Sequence, residues 1–142
     1  MSSAYIPQEL RRRVARQGRY RCGYCMSSEK IVGMTMTVDH LIPESLGGPT
    51  EEENLWLACS ACNGRKGNRI SARDPQTGEI ASFFNQRTGS WDQHFEWSDT
   101  GTHVLGKTST GRVTVNALQL NRKALVEGRR SWVKVGWHPP SD

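Results

Sequence analysis

Four cysteines occur in two pairs, and each pair has the spacing Cys-x-x-Cys. The pairs are Cys22 with Cys25 and Cys59 with Cys62. Four thiolates at this spacing are typical of a closed tetrahedral Zn²⁺ site that stabilises a fold. We therefore predict one structural Zn²⁺ held by all four cysteines.

Two other uses of the cysteines agree less well with the sequence. Two disulfide bonds need an oxidising compartment, whereas the first residues, MSSAYIPQELRRRVARQ, contain no apolar segment of the kind found in secretion signals. A thioredoxin-like redox motif has one Cys-x-x-Cys pair, and this chain has two. The pairs also lie further apart than the roughly 15–20 residues usual in zinc ribbons, which indicates an inserted element with its own chemistry.

Polar residues that could do chemistry lie in this insert and directly after it. Asp39 and His40 are adjacent, Asn54 follows them, and Asn63 comes directly after the last cysteine. Taken singly, each has an ordinary structural use, because an Asp-His pair is most often a surface or capping feature and an asparagine before an apolar run is usually a cap or turn residue. Their common placement within the paired cysteines favours a shared role.

The segment that contains these residues, VDHLIPESLGGPTEEENLWLACSACNGRKGNR, resembles the motif of HNH endonucleases of the ββα-metal (His-Me finger) fold. It is most similar to the subset flanked by zinc-binding Cys-x-x-Cys pairs. Asn54 follows His40 by 14 positions and Asn63 follows Asn54 by 9, and these intervals resemble those of the family. The last position of the motif is Asn63, and an asparagine also stands there in the H-N-N variants and in the HNH domain of the RNA-guided CRISPR nuclease. The likeness extends from Cys22 to about Arg69. A downstream pattern, FFNQRTGSWDQHFEW followed by TGRVTVNALQLNR, resembles the C-terminal part of small bacterial HNH proteins.

The resemblance implies an enzyme that hydrolyses DNA phosphodiester bonds and leaves a 3′-hydroxyl. One catalytic Mg²⁺ or Mn²⁺ would be held by the carboxylate of Asp39 and the amide oxygen of Asn63, since hard cations prefer oxygen ligands. His40 would act as the general base that takes a proton from the attacking water. Asn54 would hold the loop between two strands by side-chain to backbone hydrogen bonds and so fix His40. Gly47 and Gly48 would let that loop turn.

Several further residues have weaker assignments. Arg65 and Lys66 would lie on the helix after Asn63 and either contact phosphates or form a solvated face. Lys66 or Arg69 could also stabilise the transition state. His94 and His103 are expected to be structural. The six N-terminal arginines form either a phosphate-binding face or the wet side of a helix; they are Arg11, Arg12, Arg13, Arg16, Arg19 and Arg21.

The elements that position these residues can be predicted in outline. Ile6, Leu10 and Val14 recur at helical spacing and predict a helix from Ile6 to about Gln17. A strand is expected over 34–38, ending at Asp39 and His40. Residues 54–58 should form a short second strand or an extended turn, and a helix should begin at Ser60 or Asn63. Residues 71–90 are rich in turn residues. A hairpin over 94–105 should follow, then helices capped by Thr110 and Asn121.

We therefore expect an α+β fold with a small ββα-metal (HNH) core joined by a four-cysteine zinc site, an N-terminal helix and a C-terminal extension of a hairpin and helices. The chain has 142 residues, which suits a single domain, with the core at about 20–70 and the extension at about 71–142. The net charge of +5 favours a polyanionic partner, and the resemblance implies that this partner is DNA. The absence of a long apolar run predicts no membrane span and a cytoplasmic location.

Two other functions remain open at this point. The first is a zinc-ribbon module that binds nucleic acid without catalysis, although such a module has no need of a hard-metal pair beside an imidazole. The second is a purely structural zinc domain that binds a protein partner.

Overall fold

A computed structural model of the chain describes residues 5–141, which form short helices and two-stranded sheets. This mixture confirms the predicted α+β class. Residues 1–4, part of the stretch interpreted above as lacking a secretion signal, lie outside the described residues. The described residues divide into two compact units. Unit 1 extends to Ile70 and includes Asn85–Gly89; unit 2 comprises Ser71–Phe84 and the residues from Ser90 onward. The single domain expected from the sequence stays a prediction.

Unit 1 begins with a helix, α1 (Gln8–Gln17), which the apolar spacing predicted. Its residue Val14 is fully buried and packs with Ile6 and Leu55, while Leu10 and Val38 cover the edge of this small core. A single-turn helix, α2 (Glu29–Val32), follows and ends at Gly33 in the left-handed region.

The centre of unit 1 is an antiparallel pair of strands, β1 (Thr37–His40) and β2 (Leu55–Ala58), followed by helix α3 (Ser60–Lys66). This is the ββα order that the sequence predicted. The first strand is shorter than expected because the backbone N–H of Met36 donates to the Glu29 carboxylate instead of to a neighbouring strand. The loop between the strands contains two 3-10 turns, Glu44–Leu46 and Glu52–Asn54.

Unit 2 contains two hairpins and three helices. Its elements are β3 (Ser71–Arg73), β4 (Ile80–Ser82), α4 (Trp91–His94), β5 (Phe95–Trp97), β6 (Val104–Gly106), α5 (Ser109–Leu118) and α6 (Lys123–Lys134). The pairing of β5 with β6 agrees with the expected hairpin. The sequence analysis missed the β3–β4 hairpin. The carboxylate of the buried Asp74, in its turn, accepts hydrogen bonds from Nε and Nη2 of Arg112. Those hydrogen bonds hold the pKa of Asp74 well below its usual range.

The two helix caps predicted in unit 2 were wrong. Thr108, not Thr110, caps α5, because its hydroxyl accepts from the N–H of Gly111. Arg122 precedes α6, and the amide of Asn121 instead pairs with both backbone groups of Val104.

His94 and His103, which were expected to be structural, are both hydrogen-bonded to hydroxyl groups in unit 2. His94 contacts Thr108 at 2.7 Å, and His103 contacts Thr102 at 2.8 Å. Within residues 5–141, no helix has the length and apolar character needed to cross a membrane.

Candidate active site and metal centres

The four cysteines of unit 1 converge on one point. Their sulfur atoms all lie within 4.8 Å of one another, and all four thiols are free of disulfide bonds. The Sγ atoms of Cys25 and Cys59 are 3.8 Å apart, which matches the edge of about 3.8 Å of a tetrahedron with Zn–S bonds of about 2.3 Å. The cluster can therefore hold a metal ion such as Zn²⁺, as the sequence predicted.

Two local structures present these thiols. The first pair lies in a tight turn in which the N–H of Met26 donates to the carbonyl of Cys22. In the second pair, Cys59 is the N-cap of α3 and its sulfur accepts from the N–H of Cys62. Burial, together with hydrogen bonds to the neighbouring thiols, raises the pKa of Cys22. A bound cation would offset this cost because thiolates, not thiols, are the metal ligands.

A cavity of about 400 Å³ opens beside this cluster in unit 1. Asp39 and His40 reach it from the end of β1, and Asn63 reaches it from the first turns of α3. The structure thus brings together three of the four predicted active-site residues, while Asn54 lies outside the lining. The full lining consists of Thr37, Val38, Asp39, His40, Pro43, Glu44, Ser45, Ser60, Asn63, Gly64, Gly67 and Asn68.

The carboxylate of Asp39 is buried and contacted at both oxygens. The hydroxyl of Tyr24 donates to Oδ2 at 3.1 Å, and the ammonium of Lys66 donates to Oδ1 at 3.3 Å. Burial raises the pKa of Asp39, although the charge of Lys66 and the hydroxyl of Tyr24 act in the opposite direction. Because a carboxylate offers about four lone-pair sites, these two donors leave acceptor capacity for a cation.

The imidazole of His40 has one engaged and one unengaged nitrogen. Its Nε2 lies 2.9 Å from the hydroxyl oxygen of Thr50. Its Nδ1 is buried and has no hydrogen-bond partner among the residues that the structure describes. Buried polar atoms in native proteins almost always have a partner, so Nδ1 is the ring nitrogen that is available to a further group.

Asn54 holds the loop that carries Thr50. Its amide oxygen accepts from the N–H of Ile42, and its amide nitrogen donates to the carbonyls of Ile42 and Pro49. The neighbouring Gly48 has no room for a side chain, because a Cβ atom there would lie 1.7 Å from the carbonyl oxygen of Ile42. These hydrogen bonds tie both sides of the loop to Asn54. The loop in turn fixes the position of the Thr50 hydroxyl that contacts His40.

The basic residues of α3 and beyond have different surroundings. Arg65 is exposed. The guanidinium of Arg69 donates to the carbonyls of Arg65 and Lys66 at the end of α3. Lys66 is only 1% exposed, and its ammonium donates to Asp39 and to the carbonyl of His40. In this geometry Lys66 compensates the charge of Asp39, and a phosphate could reach it only if that ion pair opened.

The N-terminal arginines also differ from one another. Arg13 forms an ion pair with Glu52 at 2.7 Å, and Arg11 donates to the carbonyl of Ile6. Arg12 and Arg16 are exposed and lie one helical turn apart on α1. The use of the arginine cluster as a phosphate-binding face stays a prediction.

Three residues at the site were missed by the sequence analysis. Tyr24 contacts Asp39, Thr50 contacts His40, and Glu44 lines the cavity. The position of Tyr24 within the first Cys-x-x-Cys pair was a usable signal, because a residue there is held near the metal cluster. The roles of Thr50 and Glu44 depend on how the loop folds back, which local sequence does not reveal.

A comparison with known protein families finds a match within unit 1. Residues 22–69 match the family model described as HNH endonuclease, which confirms the resemblance for the part of the chain that contains the four cysteines and the cavity. The proteins of that family are nucleases.

One curated protein matches a larger part of the chain. The chain is 24% identical over 159 aligned positions to the Septu protein PtuB of Bacillus mycoides (strain KBAB4). The alignment includes 92% of this chain and 53% of that protein, so the chain spans about half the length of this curated relative. No solved structure matches the chain with comparable significance.

Proposed function

We propose that this protein is a metal-dependent endonuclease that hydrolyses DNA phosphodiester bonds. The observation that carries the proposal is the cavity that Asp39, His40 and Asn63 line together. In addition, the buried Nδ1 of His40 has no hydrogen-bond partner within residues 5–141. A carboxylate, an amide and an imidazole around one space supply the groups that phosphodiester hydrolysis needs.

Asp39 and Asn63 are the residues that would hold a catalytic Mg²⁺ or Mn²⁺. The amide nitrogen of Asn63 donates to the hydroxyl of Thr37 at 3.4 Å, which leaves the amide oxygen as its ligand atom. Two oxygen ligands and an open cavity suit a cation that keeps several waters. The bound ion would supply Lewis-acid stabilisation of charge on the phosphate and on the leaving oxygen.

His40 is the general base in this proposal. The hydroxyl of Thr50 at Nε2 fixes the ring, so Nδ1 is the atom that accepts a proton from the attacking water. The water oxygen forms a bond to phosphorus, the bond from phosphorus to the 3′-oxygen breaks, and the leaving 3′-oxygen takes a proton from solvent water. The products are a 3′-hydroxyl and a 5′-phosphate.

The surrounding features are consistent with this chemistry. Arg65 and Arg69 are the candidates for phosphate contacts near the cavity, and the net charge of +5 favours a polyanion. The four-cysteine cluster is assigned to structural Zn²⁺, because four thiolates close its coordination sphere. Reduced thiols are preserved in the cytoplasm, which is the location that we infer.

Asn63→Ala tests the proposal in a plasmid-nicking assay. Supercoiled DNA should be nicked or cut in Mg²⁺ or Mn²⁺ and not in EDTA, and Asn63→Ala should reduce the rate at least about 10-fold by removing a cation ligand. Asn116→Ala, on an exposed position of α5, is the matched control and should cut as the wild type does.

The same assay distinguishes the proposed nuclease from the main alternative, a module that binds nucleic acid without cleaving it. DNA binding at low salt without cleavage in either cation would contradict the proposal and support a zinc-ribbon module without catalysis. Cleavage that Asn63→Ala leaves intact would show that the cation, if required, is held elsewhere.

A further inference from the structure

The carboxylate of Asp39 accepts two hydrogen bonds, and each comes from a residue close in sequence to one of the two Cys-x-x-Cys pairs. Tyr24 lies between Cys22 and Cys25, and its hydroxyl contacts Oδ2 at 3.1 Å. Lys66 lies one helical turn after Cys62 on α3, and its ammonium contacts Oδ1 at 3.3 Å. Both side chains are almost completely buried, at 1% exposure each.

The turn that carries Tyr24 is tightly docked on β2. The N–H of Gly23 donates to the carbonyl of Leu57 at 2.8 Å. A Cβ atom at Gly23 would lie 2.3 Å from the indole of Trp56, so only glycine allows this approach. The backbone N–H of Tyr24 itself donates to the sulfur of Cys22. The phenol therefore has little freedom to move away from Asp39.

The hydroxyl of Tyr24 does more than fill space. A phenylalanine would provide the same ring for packing, whereas the tyrosine hydroxyl donates a hydrogen bond to a carboxylate proposed as a cation ligand. Hydrogen bonds to metal-ligating groups orient them, and their removal typically weakens metal affinity or activity about 10–100-fold. The contact is the arrangement expected of such an orienting partner.

We propose that Tyr24 is a positioning residue. The turn of the four-cysteine site holds its hydroxyl in place, and the hydroxyl orients the carboxylate of the cation ligand Asp39. This inference rests on the proposed function, because it assumes that Asp39 binds the catalytic cation. As a consequence, the side chain of Tyr24 links the four-cysteine site to the proposed catalytic site. Lys66 donates to the other carboxylate oxygen of Asp39 and supplies a positive charge there.

Tyr24→Phe tests the link by direct measurement of Mn²⁺ binding with electron paramagnetic resonance. The dissociation constant for Mn²⁺ should rise about 10-fold, while zinc content and the thermal unfolding midpoint stay at the wild-type values. In the cleavage assay, the Mn²⁺ concentration for half-maximal rate should rise in parallel, and the rate at saturating Mn²⁺ should recover towards that of the wild type.

Tyr20→Phe is the control, because Tyr20 is a 46% exposed tyrosine of the same unit. It should leave Mn²⁺ affinity unchanged. Equal Mn²⁺ affinity of Tyr24→Phe and the wild type would overturn the inference while leaving the proposed function intact. Loss of zinc in Tyr24→Phe would also overturn it, by showing that the hydroxyl serves the cysteine site. Failure of the wild type to bind Mn²⁺ would instead refute the catalytic cation itself.

Discussion

His40→Ala is expected to lower the rate of metal-dependent plasmid cleavage by about 10²–10⁴-fold, the usual contribution of a positioned general base. The variant removes a ring whose Nε2 contacts the hydroxyl of Thr50 and whose buried Nδ1 has no hydrogen-bond partner in the described part of the chain. DNA affinity should be unchanged, because the ring is not a phosphate-binding group in this account. The measurement is the initial rate of nicking at saturating Mg²⁺, with binding followed separately in EDTA.

Added imidazole should restore part of the rate of His40→Ala, because the deleted ring leaves a space at the cavity for a free base. A purely structural histidine would show no such rescue. His103→Ala is the control, since His103 is exposed and contacts the hydroxyl of Thr102 in the other unit. Wild-type cleavage by His40→Ala would refute the assigned role of the imidazole.

Removal of the structural metal is expected to unfold unit 1. Zinc binding contributes about 10–16 kcal/mol in zinc-finger peptides, whereas a typical domain is stable by only about 5–15 kcal/mol. Cys22→Ser and Cys59→Ser should therefore lose both bound zinc and cooperative unfolding. Metal analysis of the wild type should find one zinc per chain, and mild chelation that removes the catalytic cation should leave it in place.

Re-addition of metal provides the control for that experiment. After strong chelation, Zn²⁺ should restore the fold of unit 1 and Mg²⁺ should not, because thiolates select the softer ion. A folded protein without zinc, or one in which mass spectrometry finds the cysteines joined in disulfides, would contradict the assignment of the cluster.

The features that could be predicted from the sequence are those fixed by short intervals. The apolar spacing of Ile6, Leu10 and Val14 predicted α1, and the two Cys-x-x-Cys intervals predicted the converging thiols. The alternation before Asp39 and His40 predicted a strand that ends at those residues. In each case the signal is local, because the spacing of a few neighbouring residues determines a helix, a strand or a metal-binding turn.

The contacts that escaped prediction join distant parts of the chain. Lys66 is separated from Asp39 by 27 positions, and a lysine on a polar helix is ordinarily exposed. It is buried here because the carboxylate and the carbonyl of His40 satisfy its charge and its donors. The cap of α5 was misplaced for a different reason. Thr108, Ser109 and Thr110 have similar capping tendencies, and only the folded loop selects the first.

The most direct test is to locate a bound Mn²⁺ by anomalous scattering in crystals of the wild-type protein. The account predicts one ion in the cavity, bonded to a carboxylate oxygen of Asp39 and the amide oxygen of Asn63, with Nδ1 of His40 facing the ion's water shell and not bonded to the metal. An ion that binds away from Asp39 and Asn63, or one that His40 ligates directly, would contradict it.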